Sequence, residues 1–511
     1  MLTSLDYLVL GAYLVGVAVL GIRMSGRQGS AADYFLGGRD LPWWAVCFSV
    51  VATETSTLTV IGIPAVAYGG ALTFFQLTLG YVLGRGLVAW LFLPRYLSGS
   101  METAYEFLGV RYGPGVRSMA SATFLVTRLL ADGVRLFATA IPVRVMLLSA
   151  GLDVGYPIII LVIAVITTLY TLIGGLRAVV WVDVVQMSLY LGGAIGAILL
   201  LLGQVPSGWL ADAGQAGKLV WLDGGSGLIS WLTTPYVLPT AVIGGAIFSM
   251  ASHGTDHLIV QRLLACRSLG DSRKALIGSG FMVMAQFAAF LAVGLLLWAY
   301  YGGVPVSELG LSRGDEVFPK FIIEGMPPGV SGLLLAGIIA AAMSTLSSSL
   351  NALASSTVFD ILGYFRGRKG TPKPRTDAED LRTSRLATLF WGLVFVGFAN
   401  LFKDQQNPVV ELGLAIASFT YGGLLGAFLL GMLNRKTRAF DAGFALLASV
   451  VIMTFVIFGL WHSPDGWVFV FRPDAATVAE RGLVSMAWPW YTAVGALLTL
   501  AIGSLSALRH R

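Results

Sequence analysis

A chain of 511 residues that is 56% hydrophobic and 12% charged carries about half the charge of a soluble domain. That balance excludes an ordinary globular core and points to a polytopic membrane protein, which 63 glycines and 13 tryptophans also suit. The +6 charge is no nucleic-acid signature, because the basic residues are sorted by loop. Cys47 lies in an apolar run and Cys266 in a basic loop, which argues against a disulfide or a thiolate metal site.

A membrane-crossing helix needs about 20 apolar residues. Thirteen segments qualify: 5–23, 42–69, 72–94, 118–149, 155–175, 181–203, 235–253, 275–301, 328–360, 386–402, 408–432, 439–461 and 488–507. The expected fold class is therefore an all-α polytopic membrane protein with 13 transmembrane helices. The first apolar run, Leu8 to Ile22, has neither a basic leader nor a small-residue cleavage site, and reads as a retained helix.

Alternate loops hold 23 Lys and Arg residues, among them Arg23, Arg27, Arg177, Arg262, Arg267 and the run from Arg366 to Arg385; the opposite loops hold six. The positive-inside rule then puts the N-terminus outside and the C-terminus in the cytoplasm of the plasma (inner) membrane. Residues 204–234 and 462–487 become outer loops and 363–385 a charged cytoplasmic linker. No polar stretch is long enough to fold as an appended soluble domain. Residues 1–511 read as one transmembrane domain with an extra N-terminal helix at 5–23 and two C-terminal helices at 439–507. Five spans occupy 42–203 and five occupy 235–432. An odd number per half inserts the two halves upside down relative to each other.

Ionisable groups at membrane depth are costly and mark function. They are Glu54, Arg85, Arg128, Asp132, Arg135, Arg144 and Asp183. Arg85 and Arg144 are placed to snorkel. Asp132 and Arg135, three apart, can neutralise each other. Asp183 can pair with Arg177 or complete a cation site. In the second span Thr53, Glu54, Thr55, Ser56, Thr57 and Thr59 precede Gly62 and Pro64. Such a run weakens a helix, and a break there would free carbonyl oxygens for a cation; the alternative is a continuous helix with back-bonded hydroxyls. In 341–360, Ser344, Thr345, Ser347, Ser348, Asn351 and Ser355 share one side of a helix. Such a stripe either packs helices closely or supplies oxygens to a cation.

Several stretches resemble the sodium:solute symporter family together and in order: ADYFLGGRDLPWWAV (32–46), ATETS (52–56), YTLIGGLRAVVWVDVVQ (170–186), GTDHLIVQRLLAC (254–266) and MSTLSSSLNALASSTVFD (343–360). The resemblance implies a leucine-transporter-type fold with two inverted five-helix repeats, alternating access, and sodium-coupled import of a small solute by a monomeric unit embedded in the lipid bilayer. It implies a sodium site formed by the carbonyls of Ala52, Thr55 and Ala341 with the hydroxyls of Ser344 and Thr345. A second sodium site would use Asp183, Ser347 and Ser348. Solute contacts fall on Glu54, Ser56 and Thr59, on Gln76 or Thr78, on Ser249, Ser252 and His253, and on Tyr421.

The run from Gly133 to Phe137 resembles the proline and pantothenate branch, although Ala138 stands where that branch has glutamate. It points to a small amino acid or a carboxylate. Glu54 would suit an ammonium group or serve as a partner for Arg135. A transporter-like membrane sensor and a proton-coupled carrier are the competing classes. A polytopic membrane enzyme would need a charged catalytic cluster at one interface, and the four histidines are too scattered for one.

Overall fold

The computed structural model describes residues 2–26, 28–99, 101–149, 151–368, 376–401 and 409–510; Arg27, the linker segment 369–375, Lys403 and Arg511 lie outside the described residues. The chain is overwhelmingly helical. Among the described residues eight helices are long and apolar enough to cross a membrane, and nine if one bent pair counts as a single span.

The helices that position the site are α1 (Ser4–Arg23), α2 (Trp43–Glu54), α3 (Thr57–Gly69), α4 (Phe75–Leu91), α5 (Pro114–Ser149) and α6 (Tyr156–Leu202). They continue with α7 (Gly245–Gly254), α8 (His257–Leu264), α9 (Leu269–Tyr300), α10 (Val330–Ser356), α11 (Asp377–Leu401) and α12 (Val409–Leu433). Last come α13 (Ala439–Gly459) and α14 (Pro489–Ala507). The 36-residue α5 has the length of a span, but Arg128, Asp132, Arg135 and Arg144 interrupt its apolar character.

The two expected spans, 155–175 and 181–203, are two helices within the 47-residue α6, joined where Gly175 adopts φ 57° and ψ −157°. A straight helix of that length would measure about 70 Å, more than twice the hydrocarbon thickness. It is not straight. Tyr170 reaches the Met343 carbonyl at 3.4 Å, and Asp183 accepts from Ser344 at 2.7 Å. Residues thirteen apart thus meet adjacent residues of α10, so the chain doubles back at Gly175. That glycine also has the Tyr34 carbonyl 2.4 Å from where a Cβ would stand.

Helix α10 runs through the centre and is almost wholly buried. Its N-terminus is tied to α1 by Asp6, whose Oδ1 accepts from the Gly329 and Gly332 N–H groups at 2.8 Å each. A carboxylate there satisfies N–H groups that have no intrahelical acceptor. The loop between α13 and α14 adds a small antiparallel sheet to this helical chain, in the order β2-β1-β3, with β1 Leu460–Ser463, β2 Gly466–Phe469 and β3 Val484–Ser485. Pro464 and Asp465 make a two-residue turn between paired Ser463 and Gly466, a spacing that sets up a hairpin.

Close packing of α9 on α3 depends on Gly294, where a Cβ would lie 2.1 Å from the Pro64 carbonyl oxygen. Gly294→Val should destabilise the protein by about 1–3 kcal/mol through overpacking. It should lower the melting temperature in detergent, whereas Gly86→Ala, at a position with open space around it, should not.

Candidate functional site

Helix α2 ends at Glu54 and α3 starts at Thr57, with the axes bent by 67°. Thr55 (φ −79°, ψ 107°) and Ser56 (φ −99°, ψ 170°) between them are extended. The hydroxyl run explains the break. Thr53 donates to the Ser49 carbonyl at 2.7 Å, Thr55 donates to the Val51 carbonyl at 2.8 Å, and Thr59 Oγ1 accepts the Ser56 N–H at 3.3 Å. The last of these takes over a bond that a continuous helix would make through its backbone, while the Thr55 N–H still reaches the Val51 carbonyl at 2.9 Å. The Ser56 N–H turns away from the Ala52 carbonyl, leaving the last carbonyls of α2 without helical partners.

The break faces the hydroxyl stripe of α10. Thr53 Oγ1 lies 3.0 Å from Ser348 Oγ, and Thr57 Oγ1 donates to the Ile338 carbonyl at 3.1 Å. These contacts bracket the turn against α10; Ala52 and Thr55 on the one side and Ala341, Ser344 and Thr345 on the other are all buried. Thr345 Oγ1 donates to the Ala341 carbonyl at 3.1 Å. Gln286 of α9, which the sequence does not single out, hydrogen-bonds Thr55 Oγ1 at 3.0 Å.

Asp183 does not pair with Arg177, which sits at the surface 3.1 Å from Asp40. The five residues between them carry the chain from the turn at Gly175 into the interior. The fully buried Asp183 accepts from Ser49 Oγ at 2.5 Å, Ser344 Oγ at 2.7 Å and Arg262 Nη2 at 3.5 Å. Arg262 is no loop cation. The chain re-enters after Gly254 as α8, and Arg262 also donates to Ser49 Oγ at 2.9 Å, to the Leu258 carbonyl at 2.8 Å and to Ser348 Oγ. Asp183 and Ser348 are thus bridged by a guanidinium, while Ser347 turns back to the Ser344 carbonyl at 3.0 Å.

A cavity of about 340 Å³ lies at the break, and its wall includes Tyr236 and Trp488, which adjoin the 204–234 and 462–487 loops. Glu54, Ser56, Thr59, Ser252, His253 and Tyr421 line it, as do Arg128, Arg135, Asp256 and Asp315. Gln76, Thr78 and Ser249 do not. Gln76 donates to the Tyr236 carbonyl at 2.8 Å, Thr78 back-bonds to the Phe75 carbonyl at 2.7 Å, and Ser249 donates to the Tyr81 carbonyl at 3.1 Å. Ser249 thereby holds a neighbouring helix, Gln76 a turn, and Thr78 its own helix.

Glu54 pairs with Arg85, not with Arg135. Arg85 does not snorkel; it is fully buried and also donates to Ser279 at 2.7 Å. Asp132 does hold Arg135, at 3.1 Å, but it shares a larger cluster. Ser349 of α10 donates to Asp132 at 2.5 Å, and Arg128 lies 3.4 Å from it. Arg128 also binds Asp256 at 2.5 Å and the Tyr421 hydroxyl, which donates to Asp256 at 2.6 Å. Asp256 itself caps α8 through the Leu258 N–H at 2.9 Å. Four charges cancel in pairs where an unpaired one would be prohibitive. Removing one partner of the Asp183–Arg262 pair should likewise strand a buried charge. Arg262→Met should cost about 3–5 kcal/mol, read as lost folded yield and a lower melting point, and Asp183→Asn in the same chain should recover much of the loss.

The family profile described as Sodium:solute symporter family matches residues 34–451. The chain is 27% identical to the sodium/sialic acid symporter of Aliivibrio fischeri over 508 residues, which cover 99% of this chain and 93% of that relative. It is 30% identical to the human sodium/iodide cotransporter over 442 residues, covering 84% of this chain and 65% of that one. A solved Na+-coupled sialic acid symporter in a substrate-bound outward-open state shares the fold, with a TM-score of 0.80 at 24% identity over 99% of this chain and 98% of that chain. With a profile match over most of its length, the chain belongs to the sodium:solute symporter family and is a sodium-coupled carrier of small solutes, not an enzyme.

Proposed function

We propose that sodium binds where α2 breaks, held by the carbonyls of Ala52, Thr55 and Ala341 and the hydroxyls of Ser344 and Thr345. The observation that carries this reading is the 67° break set against the hydroxyl stripe. Sodium is a hard cation that takes oxygen ligands, and the break exposes carbonyls at a depth where nothing else would satisfy them. Thirteen spans arranged as two inverted repeats, with the N-terminus outside and the C-terminus cytoplasmic, fit the elements seen. The second span breaks at Thr55–Ser56, and the seventh breaks at Thr255–Asp256 between α7 and α8. These are corresponding positions in the two halves. Tyr236 and Trp488 in the cavity wall, beside the outer loops, support an outward-facing conformation.

The solute is a small organic carboxylate. Arg135 supports this. Its side chain is 18% exposed, lines the cavity and has one hydrogen bond, to Asp132, among the described residues. Two or more donors of a guanidinium fork remain to receive a carboxylate. Arg128, by contrast, is committed to protein partners. The sialic acid carried by one relative belongs to this class. A second sodium at Asp183, Ser347 and Ser348 forms only in a conformation where Arg262 has released Asp183 and Ser348. Each sodium moved inward contributes about 2.3 kcal/mol per 100 mV of membrane potential.

In proteoliposomes, uptake of a carboxylate panel should require an inward sodium gradient. Ser344→Ala and Thr345→Ala should each raise the half-saturating sodium concentration by about tenfold, equivalent to about 1.4 kcal/mol. Uptake driven equally by a proton gradient in sodium-free buffer would contradict the ion assignment. Arg135→Gln should weaken carboxylate affinity by about ten- to a hundredfold, the worth of a charged hydrogen bond, with the sodium requirement retained.

A further inference from the structure

We propose that Glu54 and His253 form a second anchor that selects a hydroxyl group on the solute over an ammonium group. The proposal rests on the reading of the cavity as the solute site. His253 is 2% exposed and lines the cavity, yet its Nε2 has no hydrogen-bond partner. Its other ring nitrogen is occupied, with Nδ1 2.8 Å from Ser252 Oγ. Nε2 stands 3.6 Å from Glu54 Oε2, beyond hydrogen-bonding reach. A buried polar nitrogen aimed into a cavity and left unpaired in the protein calls for a partner from the cavity's guest.

Glu54 faces the same space with a 20% exposed side chain. Its Oε2 is taken by Arg85, and its Oε1 has no partner among the described residues. The subsite therefore offers a carboxylate acceptor beside an imidazole nitrogen. With the Ser252 hydroxyl donating to Nδ1 at 2.8 Å instead of to the Ser249 carbonyl at 3.4 Å, the ring proton sits on Nε2, and this tautomer is part of the proposal. A hydroxyl completes both groups at once, donating to Glu54 and accepting from Nε2–H. An ammonium group can serve only Glu54. It also gains little there, because the Arg85 guanidinium, fully buried behind Glu54, already neutralises that charge and repels a second cation. An amino-acid solute would meet a positive charge where it needs a negative one.

With Arg135 receiving the carboxylate, the cavity is built for a hydroxy acid or a polyhydroxy acid. A site made to hydrogen-bond a hydroxyl rejects the analogue that lacks it, because its own polar groups are then left unpaired.

The test uses the full-length carrier purified in sodium buffer, with affinity read from thermal stabilisation by matched probes: 3-hydroxybutyrate, butyrate and 3-aminobutyrate, and gluconate with hexanoate. The hydroxylated member of each set should bind at least tenfold more tightly than its deoxy and amino counterparts. His253→Leu should collapse that ratio towards one, and His253→Gln, which keeps a polar group, should restore part of it. Equal affinities within each set, a preference for 3-aminobutyrate, or an undiminished ratio in His253→Leu would overturn the proposal. Sodium-dependent uptake without hydroxyl preference defeats this inference alone. Loss of sodium dependence in the parent defeats the functional reading beneath it.

Discussion

A helix that breaks in the middle of a membrane leaves carbonyl oxygens which lipid cannot satisfy. Here the break falls between Glu54 and Thr57, and the rest of the central structure serves those oxygens. The hydroxyls of Thr53, Thr55 and Thr59 hold the turn open from within. Thr57 and Ser348 hold it against α10, and Gln286 holds it from α9. A cation at this place would tie α2, α3 and α10 together. The same break delivers Glu54 and Ser56 to the cavity wall, so the proposed ion and solute sites share one short segment. Coupling then needs no long path, because both ligands favour the same arrangement of that segment.

The second constraint is electrical. Charges at this depth survive only when paired. The Glu54–Arg85, Asp183–Arg262 and Arg128–Asp256 pairs each join different helices, and Asp132 joins Arg135 to Ser349 of α10. These contacts make α10 a common abutment. Its Ser344 and Ser348 lie in the Asp183 cluster, and its Ser349 lies in the cluster next to the solute cavity. A carboxylate that engages Arg135 therefore pulls on a residue one helical turn from Thr345.

The stripe on α10 and the polar run at 52–59 were legible because periodicity and local hydroxyl chemistry are properties of short segments. Most spans were legible from apolar length. Partners across helices were not. Nothing in the spacing of Glu54 distinguishes Arg85, 31 residues away, from Arg135. Arg262 read as a loop cation because the second break, at Thr255 and Asp256, shortens the apolar run before it; the Asp beside Thr, three residues after His253, was the available signal. The reversal at Gly175 was legible too, as the boundary between the expected spans 155–175 and 181–203. Gln76, Thr78 and Ser249 were displaced from the solute list by their roles in packing, which depend on which side of a helix faces a neighbour.

The most direct measurement is hydrogen exchange on the purified carrier in sodium and in potassium at equal ionic strength. Sodium should slow exchange at residues 52–60 and 341–349 together, and Thr345→Ala should abolish both effects at the same sodium concentration. Identical protection in potassium, or sodium protection confined to segments away from the α2–α3 break, would contradict a cation site at that break.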